Sequence, residues 1–216
     1  MRETPLLTFY ELLLARWGSQ GWWPADTPFE MMLGAILTQN TAWRNVEYAL
    51  DRLRAECTLE PLALEALPQE ILAECIRPAG YFNQKSRAIK EMATTLKARF
   101  NGSVENLFKL ETSRLRQELL SWRGVGPETA DSILLYAANR PVFVIDAYTR
   151  RFLFRHGLCE EKTSYGTLSA LFMDALPSDP ALFNEYHALI VRLGKEHCKS
   201  IPQCEKCPLA LMDHIS

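Results

Sequence analysis

Apolar residues recur at intervals of three and four along nearly the whole chain, the spacing of helices with one buried face. Leu6, Leu7, Tyr10, Leu13, Leu14 and Trp17 form the first stripe. Thr4-Pro5 opens that helix with a cap and a first-turn proline, and Gly18 closes it. A Trp-rich loop, GWWPADTP, leads into the apolar run FEMMLGAILTQ, and TAWRNVEYALDRLRAE follows as an amphipathic helix. PQEILAECI starts at Pro68 and stops before Pro78, and NQKSRAIKEMATTLKARF is a long basic helix halted at Asn101-Gly102. SVENLFKL, TSRLRQELLSW, GPETADSILLYAA, DAYTRRFLFRHG, SYGTLSALFMDAL and PALFNEYHALIVRLGKEHC complete the helical series. Only Val142 to Ile145 has β character, and it is too short and solitary to make a sheet. The expected fold class is all-α, with short connections that make the helices close neighbours.

Composition narrows this picture. A chain of 216 residues can bury a real core in one large domain or two small ones. No apolar run reaches the length of about eighteen residues that a membrane span needs. The N-terminal segment carries Glu3, Glu11 and Arg16 among its apolar residues, which reads as an amphipathic helix and not a signal peptide. The expectation is a monomeric cytoplasmic protein of the bacterial cytosol or nucleoid, with no membrane partner. A net charge of −2 does not announce a polyanionic partner. The distribution is more telling: five Glu and no Lys or Arg between Glu56 and Glu74, then six basic residues against Glu91 alone between Arg77 and Arg99. That asymmetry fits a positive binding face, or simply two solvated helix faces of opposite sign.

The segment LLSWRGVGPETADSILLYAANRPVFVIDAYTRR carries the chemistry. A helix ends at Trp122, Gly124-Val125-Gly126 follows, and Pro127 takes a first helical position. Ala130, Ile133, Leu134 and Ala137 give the next helix its apolar face. The turn calls for glycine where φ is positive. Bare glycines also leave backbone N–H groups exposed at a helix N-terminus, where an anion such as a phosphate oxygen binds. An ordinary helix–helix turn uses glycine too. Asp146, at the end of the apolar run, is either a helix cap for AYTRRFLF or a carboxylate positioned for reaction, and one residue can be both.

This segment resembles the helix-hairpin-helix motif of the endonuclease III superfamily of DNA glycosylases. VFVIDAYTRR is similar to the family's hydrophobic-Val-Asp segment, LTQNT to its helix start near DNA, GYFNQKSRAI to its Gly-aromatic-Asn-x-Lys-Ala segment, and RLGKEHC with the following cysteines to its C-terminal end. These motifs run from about Trp22 to Cys207 in the family's order. The resemblance implies two helical domains with DNA and an active-site cleft between them. The expected division is residues 22–133, with the helix-hairpin-helix, and residues 1–21 plus 134–216, with the cysteine loop. It also implies double-stranded DNA containing a damaged base as partner, and Asp146 as the catalytic carboxylate. A base leaving deoxyribose makes an oxocarbenium-like sugar, which a fixed carboxylate stabilises while it aligns water. The base must first be rotated out of the stack. Gly124, Val125 and Gly126 are the expected phosphate anchor, and Gln39 or Asn40 fills the gap left by the base.

Family members that also cut the backbone carry a Schiff-base Lys eighteen residues before the Asp. Glu128 stands there, and a carboxylate cannot form a Schiff base. A monofunctional glycosylase is expected, unless Lys195 substitutes. Trp22-Trp23-Pro24 resembles the 3-methyladenine glycosylase branch, where aromatic side chains make the base pocket. Stacking on electron-rich rings favours cationic alkylated purines. The pocket candidates are Trp22, Trp23, Pro24, Trp43, Glu128 and Lys195. A Trp pair beside proline also commonly covers a core edge, and Lys195 near a helix C-terminus also fits a surface role.

Of six cysteines, Cys57, Cys75 and Cys159 read as core or incidental thiols. Cys198, Cys204 and Cys207 are clustered as C-x5-C-x2-C, similar to the family's iron–sulfur loop with one residue fewer in the first gap. Asp213, followed by His214, stands where the fourth Cys would be. A [4Fe-4S] cluster on three Cys and one other group, zinc on three Cys and His214, and no metal are the alternatives. The favoured function is removal of an alkylated purine such as 3-methyladenine. An endonuclease III-like glycosylase/AP lyase acting on oxidised pyrimidines and a non-catalytic DNA-binding module are the competing readings.

Overall fold

A computed structural model describes residues 5–212. Every regular element among them is helical. The chain divides into two compact units, one of Met1–Trp22 with Asn139–Ser216 and the other of Trp23–Ala138. The crossing back falls after Ala138 and not after Ile133. The reason is local: Ile133, Leu134 and Leu135 are buried, and their turn packs against the helix that begins at Pro28.

The continuous unit is built around α2 (Pro28–Leu37), which is buried on every side from Phe29 to Leu37. A helix apolar all round belongs inside a core. Its start is fixed by Thr27, whose side chain accepts from the Glu30 amide, and by Pro28 in the first turn. Buried Glu30 is neutralised by Arg54 at 2.5 Å. Around α2 lie α3 (Trp43–Glu56), α4 (Pro61–Ala66), α5 (Gln69–Cys75), a 3-10 turn (Arg77–Ala79), α6 (Phe82–Phe100), α7 (Val104–Phe108), α8 (Thr112–Leu120) and α9 (Pro127–Ser132). Helix α9 continues as a π-turn through Ala137, with Ala138 N–H reaching back to Ile133 C=O. Asn101 ends α6 at φ 55°, a left-handed stop that asparagine tolerates. The short α4 is a helix that periodicity alone passes over; Pro61 opens it, and it packs on α6.

The other unit centres on α12 (Pro180–Glu196), against which pack α1 (Leu6–Trp17) and α10 (Ala147–Arg155), with α11 (Tyr165–Ala175) touching α1. In α1 the buried positions are Leu6, Phe9 and Leu13, while Leu7 is 43% exposed. The stripe is therefore rotated from the one the leucines suggested, because the large Phe9 ring packs edge-on to Phe152 at 5.3 Å. Val142–Ile145 is buried and extended with no strand beside it. Its backbone groups are served by α11 instead: Ser169 Oγ donates to Phe143 C=O at 2.8 Å, and Ile145 N–H donates to Tyr165 Oη at 3.3 Å. Side-chain partners of this kind stand in for the missing neighbouring strand at these two groups. Phe143 stacks on Phe172 with ring centroids 3.7 Å apart, locking the segment in register. No helix among the described residues is long and apolar enough to cross a membrane.

Candidate active site and its supports

Asp146 is the N-cap of α10. Its Oδ1 accepts the Thr149 amide at 2.7 Å. This bond uses one oxygen and fixes the plane of the carboxylate. The other oxygen, Oδ2, lies 3.8 Å from His187 Nε2, and the Asp146 side chain is 15% exposed. His187 projects from α12 and is itself buried. Burial pulls the imidazole's pKa below its ordinary value, against an upward pull from Asp146. The neutral ring therefore does not cancel the carboxylate's charge at neutral pH. Nothing in the chain pattern around His187 singled it out; it sits on α12 among apolar neighbours and reads as one more core position.

Two contacts set α10 against α12. Gly194 leaves no room for a side chain, since a Cβ there would meet Tyr148 Cδ1 at 2.2 Å and Cγ at 2.8 Å. Arg151 spans the same seam: Nε donates to Cys198 C=O at 2.6 Å, Nη2 to Gly194 C=O at 3.3 Å, and its guanidinium lies over the Tyr148 ring. Lys195 is exposed in the last turn of α12.

Within the continuous unit, the α8–α9 hairpin carries Gly124, Val125 and Gly126. Gly124 has φ 73°, so the left-handed turn is real there, and it also abuts Ala88. Gly126 is extended at φ −92°, and a Cβ on it would meet nothing. Backbone conformation thus explains the first glycine and not the second. What Gly126 contributes is an uncovered helix start. Val125 is buried and anchors the turn. Arg116 grips buried Asp131 with two bonds, of 2.7 and 3.1 Å, tying α8 to α9. Glu128 is exposed in the first turn of α9.

Gln39 joins this hairpin from α2's end: its Nε2 donates to Gly124 C=O and to Thr129 Oγ1, both at 2.9 Å. Asn40, next to it, is exposed and left-handed at φ 54°. Tyr81 shares an open depression of about 510 Å³ with Gln39, Asn40, Lys85 and Gly124; it is 63% exposed and left-handed at φ 46°. A bulky residue held in that conformation, in the open, marks a functional candidate. Its sequence signal was the Gly-aromatic pair at Gly80-Tyr81, which periodicity reads as a mere helix start.

The Trp-rich loop divides. Trp22 belongs to the discontinuous unit and is half-buried. Trp23 belongs to the continuous one, meeting Trp43 edge-on at 5.1 Å and Tyr136 at 5.3 Å, with its ring over Gly34. Tyr136 is an aromatic neighbour that sequence reading left out, because it lies on the π-turn. Pro24 and Trp43 line a second open groove, of about 760 Å³, with Glu30, Arg44 and Arg54 among its other walls.

Cys198, Cys204 and Cys207 all line one small pocket, with His156 and His197 among its other walls. Arg155 donates to Cys198 Sγ at 3.2 Å and to the carbonyls of Lys199 and Ser200, shaping the loop's first half. Burial raises the Cys207 thiol, and its neighbours Cys204 and Cys198 raise it further, while the Leu209 amide acts in the opposite direction. As they stand, no three His, Cys, Asp or Glu side chains among the described residues are grouped to hold a metal ion. Asp213 and His214 lie outside the described residues. The donor types present, three thiols with imidazoles beside them, suit a metal; the fourth ligand is not fixed by them. Cys75 is buried and Cys57 and Cys159 half-buried, and none of the six cysteines is in a disulfide.

Comparison with known proteins matches this arrangement. Residues 33–178 match the family model described as "HhH-GPD superfamily base excision DNA repair protein". A "Putative DNA repair glycosylase" of Methanocaldococcus jannaschii is 45% identical over 202 residues, covering 93% of this chain and 91% of that protein. A solved endonuclease III–DNA complex superposes with TM-score 0.83 at 23% identity, covering 98% of this chain and 95% of the other. A Helicobacter pylori 3-methyladenine DNA glycosylase bound to 1,N6-ethenoadenine superposes with TM-score 0.73 at 29% identity, covering 88% and 95%. On the extent of these matches, the chain belongs to the HhH-GPD superfamily of base excision DNA repair proteins.

Proposed function

We propose that this chain is a monofunctional DNA glycosylase that hydrolyses the N-glycosidic bond of an alkylated purine, of the 3-methyladenine class, in double-stranded DNA. The observation that carries the reading is the state of Asp146. One oxygen is bound to the helix it caps; the other stands beside a neutral, buried imidazole. A carboxylate so held needs little reorganisation as positive charge develops on the sugar. Asp146 stabilises that charge and aligns water for attack. Gly124, Val125 and Gly126 bind a phosphate through backbone N–H groups, positioning DNA without reading sequence. Asn40, Gln39 and Tyr81 form the edge that fills the stack when the base leaves it.

The Trp23, Trp43 and Tyr136 cluster supports the substrate class, since a cationic base is attracted to the face of an electron-rich ring. Pro24 and Glu128, of the same unit, are further proposed pocket residues; Trp22 and Lys195, of the other unit, are proposed from the family resemblance alone. Likeness to the 3-methyladenine glycosylase supports the same class. Glu128 at the Schiff-base position supports hydrolysis without strand cleavage. The three thiols of the C-terminal loop would supply ligands to a metal centre whose role is structural, ordering the loop. The test is base release from duplexes carrying 3-methyladenine, hypoxanthine or thymine glycol. Release of 3-methyladenine with intact abasic strands is expected; release of thymine glycol alone refutes the substrate.

The second reading is an endonuclease III-like glycosylase/AP lyase, favoured by the likeness to endonuclease III and by exposed Lys195. Borohydride trapping separates the two. A covalent protein–DNA complex formed in good yield, and lost in Lys195→Ala, establishes the lyase.

A further inference from the structure

Lys85 is a buried cation that neither the carboxylate site nor the phosphate anchor uses. It is 4% exposed, and its Nζ donates to three backbone carbonyls, those of Leu37, Gln39 and Ala79, each at 2.8 Å. An ammonium has three protons, so this geometry exhausts them. The three carbonyls come from two separate stretches. Leu37 and Gln39 end α2 and lead into the left-handed Asn40; Ala79 precedes Gly80 and the left-handed Tyr81. Both stretches present carbonyls at a helical end, where a cation is favoured. One side chain thereby bonds both turns at once.

We propose that Lys85 is a positioning residue, which clamps the Gln39–Asn40 turn and the Gly80–Tyr81 turn side by side so that they enter the base stack as one rigid edge. The inference rests on the DNA glycosylase reading above and adds to it the part that makes flipping efficient. Non-glycine residues at positive φ cost energy and persist only when their surroundings hold them. Asn40 and Tyr81 are two such residues, and the clamp is the interaction that secures the chain beside both. Gln39 extends the assembly to the anchor, since its side chain reaches Gly124 and Thr129. Edge, clamp and anchor then form one body: bound phosphate fixes where the edge meets the duplex. Burial lowers the Lys85 pKa to about 8. The neutral amine has two protons for three carbonyls, so the protonated form is the clamp.

A structural lysine and a clamp of this edge differ in what their loss does to paired and unpaired lesions. The probe is a duplex with 2-aminopurine opposite a stable abasic analogue, whose fluorescence rises when the stack is opened, and it needs no excision. Wild-type protein is expected to raise the signal. Lys85→Met, assayed well below its melting temperature, is expected to lose most of that rise while binding the duplex within about threefold of wild type. In single-turnover excision, Lys85→Met is expected to slow release from a fully stacked lesion about tenfold, and to be rescued when the lesion sits in a bulge, already unstacked. Tyr81→Ala should produce the same pattern, and Lys85→Met added to it should cost little more.

Equal slowing on stacked and bulged lesions, additive effects of the two substitutions, or a full fluorescence rise in Lys85→Met each overturn the clamp. Should Lys85→Met fail to fold, Lys85→Arg keeps a buried cation and donors; it is expected to restore the fluorescence rise, and a folded Lys85→Arg without the rise also overturns it. The glycosylase reading fails separately: a wild-type protein that opens the stack yet releases no base from any duplex refutes that reading and leaves the clamp standing.

Discussion

Gly194→Ala gives a prediction in which the sign of the effect is decisive. Gly194 lies inside α12, where alanine is the better helix former by about 1 kcal/mol. If space were available, the substitution would stabilise the protein by about that amount. The geometry says otherwise, because the new methyl would sit 2.2 Å from Tyr148 Cδ1, 2.8 Å from Cγ and 3.0 Å from Cβ. Cγ and Cβ stay in place when the ring turns, so ring rotation cannot clear the clash, and α10 must move off α12. Overpacking of this kind costs about 1–3 kcal/mol, and this case belongs at the upper end. Net of helix propensity, the variant should be less stable by about 1–2 kcal/mol, a fall in melting temperature of about 2–8 °C for a chain of this size. Because Tyr148 follows Asp146 on the same helix, excision should fall more than stability explains. Thermal unfolding of Gly194→Ala, Tyr148→Ala and the double variant tests this. The pair should couple by about 1–2 kcal/mol, with Gly194→Ala becoming nearly neutral once the ring is gone and only the 3.0 Å contact to Cβ remains. A single Gly194→Ala variant as stable as wild type, or more so, refutes the close seam.

Other perturbations probe the remaining supports. Burial holds the His187 pKa below its ordinary value, so the unfolded chain takes up a proton before the folded one does; stability should be full above about pH 6.5 and fall as pH drops further, and a stability–pH curve unaltered in His187→Gln contradicts this. Arg116→Met strands the buried Asp131 carboxylate, and because Arg116 is 36% exposed the loss should be near 3 kcal/mol, the lower end for a broken buried pair; Arg116→Met with Asp131→Leu should recover much of it, as denaturant unfolding would show. Purified under anaerobic conditions, the protein should contain iron or zinc, and serine at Cys198, Cys204 or Cys207 should lower metal content and melting temperature together; a metal-free wild type contradicts the loop's proposed role.

How far the sequence alone reaches differs from element to element. Helix ends were legible where a local rule was read, as at Asn101-Gly102 for α6 and Gly18 for α1; the Thr27-Pro28 start of α2 reads in sequence as part of the preceding loop. The face a helix buries was less so. In α1 both Leu7 and Phe9 are apolar, and only packing against Phe152 decides between them. Val142–Ile145 looked like a strand without a partner; what resolves it is a hydroxyl from Ser169 and another from Tyr165, far along the chain. Asp146 could be named from its segment, and its capping role followed from its place before a helix. His187 and Lys85 could not be read in the same way. Lys85 is the Lys of the Gly-aromatic-Asn-x-Lys segment, yet that pattern does not name the carbonyls of Leu37 and Gln39 that it binds, and the carboxylate beside His187 is likewise distant in sequence. The aromatic wall was half legible: the adjacent tryptophans stand out, whereas Tyr136 reaches Trp23 only through the π-turn.

The central claim is that Asp146 supplies the charge that drives base release. The direct measurement is single-turnover excision by wild type and Asp146→Asn on a 3-methyladenine duplex, beside the affinity of each for the same DNA. Asparagine still caps α10 through its side-chain oxygen, so fold and binding should persist. Excision should fall by at least about a hundredfold, with affinity within about threefold of wild type. An Asp146→Asn protein that binds DNA and releases the base at the wild-type rate would contradict the account.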